Sequence, residues 1–325
     1  MITPKIGRNW TNTFVFDKLT ADEQKKVLEG SYDLFSMNAL ALVRFKEDVA
    51  GQIELAKKYG LDHVELDCDV PNPYPEFPSE IREKIKEKAR ENGISLSVHL
   101  TYSNAGASVV SLQEIDRMAA VGIQKTYIDF ANDIGARYVV MHPGTAPFYL
   151  VSDLYMSKFK QQLLKTLVDL ARYSTDRGIK FHLENNVAFD NIFVEPEDII
   201  EVINAARSKG AEVYFNFDIG HWFTRADKGR PLPEDPVEVM NKIPAGLVCE
   251  IHVNDYIPGK FIFHPPLTLT EGPLKGEAFS RYAALVKKLN PEVLVFETAF
   301  KTLEQVRDRE NIIERETAYI KETFK

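Results

Sequence analysis

Short β-rich runs alternate with longer helical patterns along almost the whole chain, and they do so eight times. The runs are ALALVRF (39–45), HVELDC (63–68), ISLSVHL (94–100), RYVVMH (137–142), IKFHLEN (179–185), EVYFNFD (212–218), VCEIHVND (248–255) and EVLVFET (292–298). Between them lie stretches such as SEIREKIKEKAREN (79–92), which begins at Ser79 and stops at Gly93. Strict alternation of this kind implies parallel strands joined by crossover helices. Eight such units close a (β/α)8 barrel. The rival, an open doubly wound sheet, would carry a glycine-rich phosphate turn after its first strand, and none is present. The expected fold is therefore an α/β TIM barrel over residues 37–325. Residues 1–36 fall outside the rhythm. They contain TADEQKKVLEG, where Thr20 and Glu23 have the spacing of a capping box. This segment is expected to be a short N-terminal helical extension, packed on the barrel or on a second copy in a homo-oligomer.

Composition narrows the function. The chain of 325 residues is 44% hydrophobic and 27% charged, the profile of a globular protein with a large core. Its net charge of −8 offers no general attraction to nucleic acid or to an anionic membrane. No apolar run reaches the ~18 residues of a membrane span, and no signal peptide is visible, so the cytoplasm is the expected location. Cys68 and Cys249 lie far apart in strand-like runs and read as buried free thiols.

The polar residues fall where chemistry is expected in such a barrel, at the strand C-termini. Successive runs carry Glu65 and Asp67, His99, His142, Glu184, Asp218 with His221, His252 with Asp255, and Glu297. The members Glu65, His99, His142, Glu184, Asp218, His252 and Glu297 are spaced 34 to 45 residues apart, about one strand–helix unit each. Five of the seven histidines belong to the pattern, with His264 as its looser member. A buried carboxylate is tolerated when it is paired or binds metal. Glu184, Asp218, His252 and Glu297 supply three carboxylates and an imidazole, a set suited to Mn²⁺, Co²⁺ or Zn²⁺ and less to Mg²⁺. Gly220 would let the chain turn sharply and present His221 to the same cavity. His63 opens its strand and should face the opposite end of the barrel. His182 shares a strand face with Glu184 and reads as a deeper, structural group. Glu65 and Asp67 share a face, and their role stays open.

The ordered motifs VELDC, SVHL, VVMHPG, FHLENN, FNFDIGH, EIHVNDY and VFET resemble the xylose-isomerase-like TIM-barrel superfamily over about residues 37–300. That group holds sugar isomerases and epimerases and the endonuclease IV type of AP endonuclease. The epimerase resemblance implies one divalent metal held by Glu184, Asp218, His252 and Glu297. Glu184 and Glu297 would be the acid/base pair that moves a proton beside a ketone through an enediolate. His221 would contact substrate oxygens, with His99, His142, His264 and Lys260 as further substrate contacts. Those enzymes often place an arginine after the seventh strand; DYIPGKFIFH has Lys260 but no arginine.

The alternative is a phosphoester hydrolase of the endonuclease IV type. His99, His142 and Glu184 would then hold a second metal, and Tyr102 matches a tyrosine of that group. Its third site needs an aspartate where this chain has Ile262. A third possibility is a non-catalytic sugar-binding barrel. The expected partner is a small sugar-like molecule, and nucleic acid is not expected. The long loop 222–236 carries Arg225, Lys228 and Arg230, which read either as a phosphate grip or as a solvated charged surface.

Overall fold

The computed structural model describes residues 3–324, apart from 234 and 270. In chain order the strands are β1 (Lys5–Asn9), β2 (His63–Asp67), β3 (Ser95–His99), β4 (Tyr138–Met141), β5 (Lys180–Glu184), β6 (Val213–Asp218), β7 (Val248–His252), β8 (Tyr256–Ile257), β9 (Ile262–Phe263) and β10 (Val293–Glu297). All but β8 and β9 form a closed parallel barrel in the order β1-β10-β7-β6-β5-β4-β3-β2. β8 and β9 make a small antiparallel hairpin in the loop after β7. Each barrel strand is short and nearly every residue in it is buried, as expected of strands covered by helices outside and side chains inside.

The origin of the first strand differs from the sequence reading. ALALVRF lies inside a helix, Leu34–Glu47, capped by Asp33, whose carboxylate accepts from the Ser36 N–H at 2.8 Å. Met37, Ala41 and Phe45 form its buried stripe, a four-residue spacing that outweighs the apparent β pattern. The barrel instead closes with KIGRN. β1 pairs in parallel with β10 from Lys5–Val293 to Asn9–Glu297, and with β2 from Gly7–His63 to Asn9–Glu65. Residues 1–36 are thus not an appendage. The segment supplies a barrel strand, followed by the helix Ala21–Leu28 with its Thr20–Glu23 capping box. Gly7 is required by proximity, because a Cβ there would meet the His63 side chain at 2.7 Å.

Both cysteines are free and buried. Among the described residues no helix is long and apolar enough to cross a membrane. The chain's last helix, Arg309–Phe324, is tied to the barrel by a fully buried ion pair of 2.7 Å between Arg8 and Glu316.

Candidate metal centre

The C-terminal ends of β3 to β7 and β10 bring the predicted polar residues together. Glu184 is the hub. Its Oε2 lies 3.1 Å from His99 Nε2 and 3.5 Å from His142 Nε2. Its Oε1 lies 3.1 Å from His221 Nδ1 and 3.3 Å from His252 Nδ1. His252 Nδ1 is also 3.8 Å from Asp218 Oδ2 and 3.8 Å from Glu297 Oε2. Donor atoms of Glu184, Asp218 and His252 all fall within 4.8 Å of one another. Glu184, Asp218 and His252 have no exposed surface. His252 Nδ1 and Glu184 Oε1 make no hydrogen bond, in a layer where an unpartnered polar atom is costly. A divalent cation fits this donor set.

Local structure explains how the chain delivers these groups. The DIGH segment is a short helix, Ile219–Phe223, and Asp218 is its N-cap. Asp218 Oδ1 accepts the His221 N–H at 2.7 Å, which leaves Oδ2 facing His252 and Asn254. Gly220 therefore does not make the sharp turn expected. It is needed for packing, since a Cβ there would lie 3.1 Å from Asn254 Cβ and its carbonyl oxygen.

The sequence reading missed three asparagines that stitch the strands bearing the candidate ligands together. Asn185 Oδ1 accepts the Asp218 N–H at 2.9 Å, Asn216 Oδ1 accepts the His252 N–H at 3.0 Å, and Asn254 Oδ1 accepts the Glu297 N–H at 2.8 Å. In each case an amide on one strand or its exit holds the backbone of a candidate ligand on the next. Asn254 Nδ2 also donates to Asp218 Oδ2 at 2.6 Å and Glu297 Oε2 at 3.0 Å, and Asn9 Nδ2 donates to Glu297 Oε1 at 3.4 Å. Their only signal was an Asn near each ligand in ENN, FNFD and VND.

A second buried layer supports His252 from below. Its Nε2 lies 3.3 Å from Glu65 Oε2 and 3.5 Å from Glu250 Oε1. Ser97 Oγ lies within hydrogen-bond distance of both carboxylates, 3.3 Å from Glu65 and 3.4 Å from Glu250, and His63 bridges Ser97 and Ser95 at 2.8 Å each. Glu65 thus lies under the centre, and His63, fully buried, joins the same layer through Ser97. His182 is fully buried against the Val139 carbonyl and does not reach the centre. Asp67 lines the cavity rim and lies 3.7 Å from Lys46 Nζ.

The electrostatics follow from this crowding. Burial alone would lower the His99 pKa, but Glu184 lifts it to about 10. His221 is raised to about 9 against its burial by Asp218 and Glu184. Burial lowers His142 to about 3. Burial opposes ionisation of Glu184, yet His252 and His142 hold it well below the usual carboxylate range. His99 Nδ1 faces the Leu100 carbonyl at 3.1 Å and His142 Nδ1 faces Asn186 Oδ1 at 3.2 Å, so each directs Nε2 to Glu184.

A cavity of about 560 Å³ opens above this layer, lined by Asn9, His99, His142, His221, His264 and Glu297 among others. That is the size of a small-molecule site. Of two further expected contacts, one reaches the cavity and one does not. His264 reaches the wall, 3.7 Å from Glu297. Lys260 does not line the cavity and pairs with Glu271 on the exposed hairpin side. Arg225 and Arg230 both pair with Glu195 and do not line the cavity. Asp190, six residues past Glu184, lines the cavity and was not anticipated. Burial raises its pKa to about 6 while His221 pulls it down.

A closed (β/α)8 barrel with a polyhistidine, polycarboxylate centre at its strand ends defines the class. Across residues 53–323 the chain matches the family described as xylose isomerase-like TIM barrel, and it belongs to that family. Its structure is similar to that of D-psicose 3-epimerase from Clostridium cellulolyticum H10 with D-tagatose, at 14% identity, 98% coverage of both chains and a TM-score of 0.67. It is also similar to the E. coli 3-keto-D-glucoside 4-epimerase YcjR in its apo form, at 13% identity, 98% of this chain, 99% of that one and a TM-score of 0.62. The IolI protein with a bound zinc atom gives 15% identity, 98% coverage of both chains and a TM-score of 0.67. At these identities the likeness shows the fold. No curated protein matches the chain in sequence.

Proposed function

We propose that the protein is a divalent-metal-dependent epimerase or isomerase of a sugar-like ketone. The observation that carries this reading is the convergence of Glu184, Asp218 and Glu297 on the unpartnered Nδ1 of His252. The mixed oxygen and nitrogen donors suit Mn²⁺, Co²⁺ or Zn²⁺ better than Mg²⁺. Bound there, such an ion supplies Lewis acidity towards a carbonyl oxygen, which makes the adjacent C–H more acidic. The chain's own groups do the rest. Glu184 and Glu297 enter from β5 and β10, strands that are not neighbours in the ring, and so reach the substrate from different sides. One removes the proton and the other returns one to the opposite face. Asn9 and Asn254 hold the Glu297 carboxylate, so it keeps one orientation as its charge changes. His99, His142 and His221 line the wall and offer ring nitrogens to substrate hydroxyls. The structural likeness to two sugar epimerases supports the same reading.

The test is solvent exchange. Protein loaded with Mn²⁺, Co²⁺ or Zn²⁺ is incubated in D₂O with a panel of ketoses, and the proton beside the carbonyl is followed by NMR. Wash-out in the wild type and its loss in Glu184→Gln and Glu297→Gln are expected. No wash-out from any ketose in the loaded wild type would sink the proposal.

One observation favours a second reading. Donor atoms of His99, His142 and Glu184, and those of Asp218, His221 and His264, each cluster within 4.8 Å, enough for further metals and a phosphoester hydrolase. Ile262 stands where that chemistry would want an aspartate. Cleavage of an abasic-site duplex by zinc-loaded protein would establish it, and intact duplex would remove it.

A further inference from the structure

From Glu297 to Phe300 the chain leaving β10 is fastened at every residue. Asn254 Oδ1 accepts the Glu297 N–H, the His264 carbonyl accepts the Ala299 N–H at 2.8 Å, and the Asn12 carbonyl accepts the Phe300 N–H at 3.2 Å. Thr298 is held by its side chain instead. Its Oγ1 accepts from Arg8 Nη1 at 2.9 Å and donates to Glu316 Oε2 at 2.8 Å, and Arg8 Nη2 closes the triangle on Glu316 Oε2 at 2.7 Å. Arg8 and Asn9 are neighbours on β1, so their side chains leave opposite faces of the strand. Asn9 enters the cavity and donates to Glu297. Arg8 reaches the last helix. Both hold the end of β10.

Glu316 has a second attachment. Its Oε1 accepts the Leu267 N–H at 2.5 Å. Only Pro265 and Pro266 separate Leu267 from His264, and their rings fix φ and stiffen the path between them. His264 has a φ of +54°, a left-handed backbone that a non-glycine residue keeps only where its surroundings hold it. Its N–H donates to the Asp255 carbonyl at 3.0 Å. One buried carboxylate thus ties together the two wall segments that carry Glu297 and His264, whose side chains face each other at 3.7 Å. Stability alone is a poor reason for this arrangement. Desolvation offsets the attraction of a buried ion pair, and apolar residues of the same volume often serve as well. Apolar packing has no directional bonds with which to hold Thr298 and Leu267.

We infer that Arg8 and Glu316 are positioning residues for the proton-transfer step, fixing the Glu297 carboxylate and His264 through Thr298 and Leu267. This rests on the ketone reading above, in which Glu297 carries the proton. Neither Arg8 nor Glu316 lines the cavity, so both act through the residues they bind.

Three variants test it. Thr298→Val removes the hydroxyl link and leaves the Arg8–Glu316 pair. Thr298→Ser keeps the link. Arg8→Lys keeps the charge but loses the fork that reaches both partners. For each, kcat and KM of D₂O exchange are measured at saturating Mn²⁺ on a ketose that the wild type exchanges, beside the Mn²⁺ dissociation constant and urea unfolding. Thr298→Val and Arg8→Lys should lower kcat about ten- to a hundred-fold with KM nearly unchanged, the effect of a small misplacement of a reacting group. Both should also weaken Mn²⁺ binding, because Glu297 is a candidate ligand. Thr298→Ser should match the wild type. Native kcat and native Mn²⁺ affinity in Thr298→Val and Arg8→Lys, even with lowered stability, would overturn the inference. So would a raised KM at unchanged kcat, which would make Thr298 a substrate contact. Should the wild type exchange no ketose, the ketone reading falls and Mn²⁺ binding decides the inference. Weakened binding in Thr298→Val and Arg8→Lys, with Thr298→Ser native, keeps it; unchanged binding removes it.

Discussion

Nδ1 of His252 lies 3.3 Å from Oε1 of Glu184, and neither atom makes a hydrogen bond. Both are fully buried, on adjoining sides of a layer that also holds Asp218. Orphaned donors and acceptors at this depth ordinarily cost ~1–3 kcal/mol each. A cation between them removes that cost. The centre is therefore expected to be stabilised by the ion it binds.

Chelation should lower thermal stability. At a free ion concentration a hundred times the dissociation constant the ion contributes ~2.7 kcal/mol. Thermal unfolding with and without EDTA should show a fall in Tm of several degrees, restored by Mn²⁺ or Zn²⁺. A chelated protein that melts where the untreated one does would count against the site.

Glu184→Gln and Glu297→Gln should each lower turnover by at least ~100-fold, the range of a lost general acid or base. Glu297 is partly exposed at the cavity, so Glu297→Gln should keep the wild-type far-UV circular dichroism and melting profile. Near-native turnover in either variant would contradict the assigned roles.

Glu65 and Glu250 act one layer deeper. They flank Nε2 of His252 and thereby direct Nδ1 towards the other ligands. Glu65→Gln or Glu250→Gln should weaken metal affinity by about 10–100-fold, read by competition with a fluorescent chelator. Unchanged affinity in both variants would make these glutamates mere filling of the barrel.

The asparagine amides that bind ligand backbones make a separate prediction. Asn216→Ala leaves the His252 N–H without its acceptor and should destabilise the protein by ~1–3 kcal/mol, measured by urea unfolding. Asn254→Ala should in addition weaken metal binding, because Asn254 also donates to Asp218 and Glu297.

In the metal-free protein His99 and His221 have pKa values raised to about 10 and about 9, against an ordinary 6.5. Groups raised on folding bind protons more tightly in the native state. Their contribution is full below pH 6.5 and is lost as pH climbs through 9 to 10. Metal-free His99→Gln should therefore lose less stability between pH 7 and pH 10 than the metal-free wild type. Equal losses would show that Glu184 does not hold a proton on His99.

Much of this architecture was legible because its signals are local. Each barrel strand from β2 onward carries its β-rich run and its polar end in consecutive residues, so FNFDIGH and EIHVND can be read alone. β1 was hidden for physical reasons. KIGRN is five residues with a glycine and an arginine, and it is a strand only because β2 and β10 pair with both its edges. ALALVRF misled because Leu40 and Leu42, half-buried beside the Met37–Ala41–Phe45 stripe, make a helix imitate alternation. The asparagine contacts and the Glu65–Glu250 grip on His252 cross strands remote in sequence. No spacing along the chain announces them.

The central claim is that the ring of strand ends is a metal centre. Elemental mass spectrometry of protein purified without chelator tests it most directly, with Glu184→Ala and His252→Ala variants as controls. About one Mn²⁺, Co²⁺ or Zn²⁺ per chain in the wild type, and far less in the variants, is the expected result. Less than a tenth of an ion per chain, even after reloading with Mn²⁺ or Zn²⁺, would contradict the account.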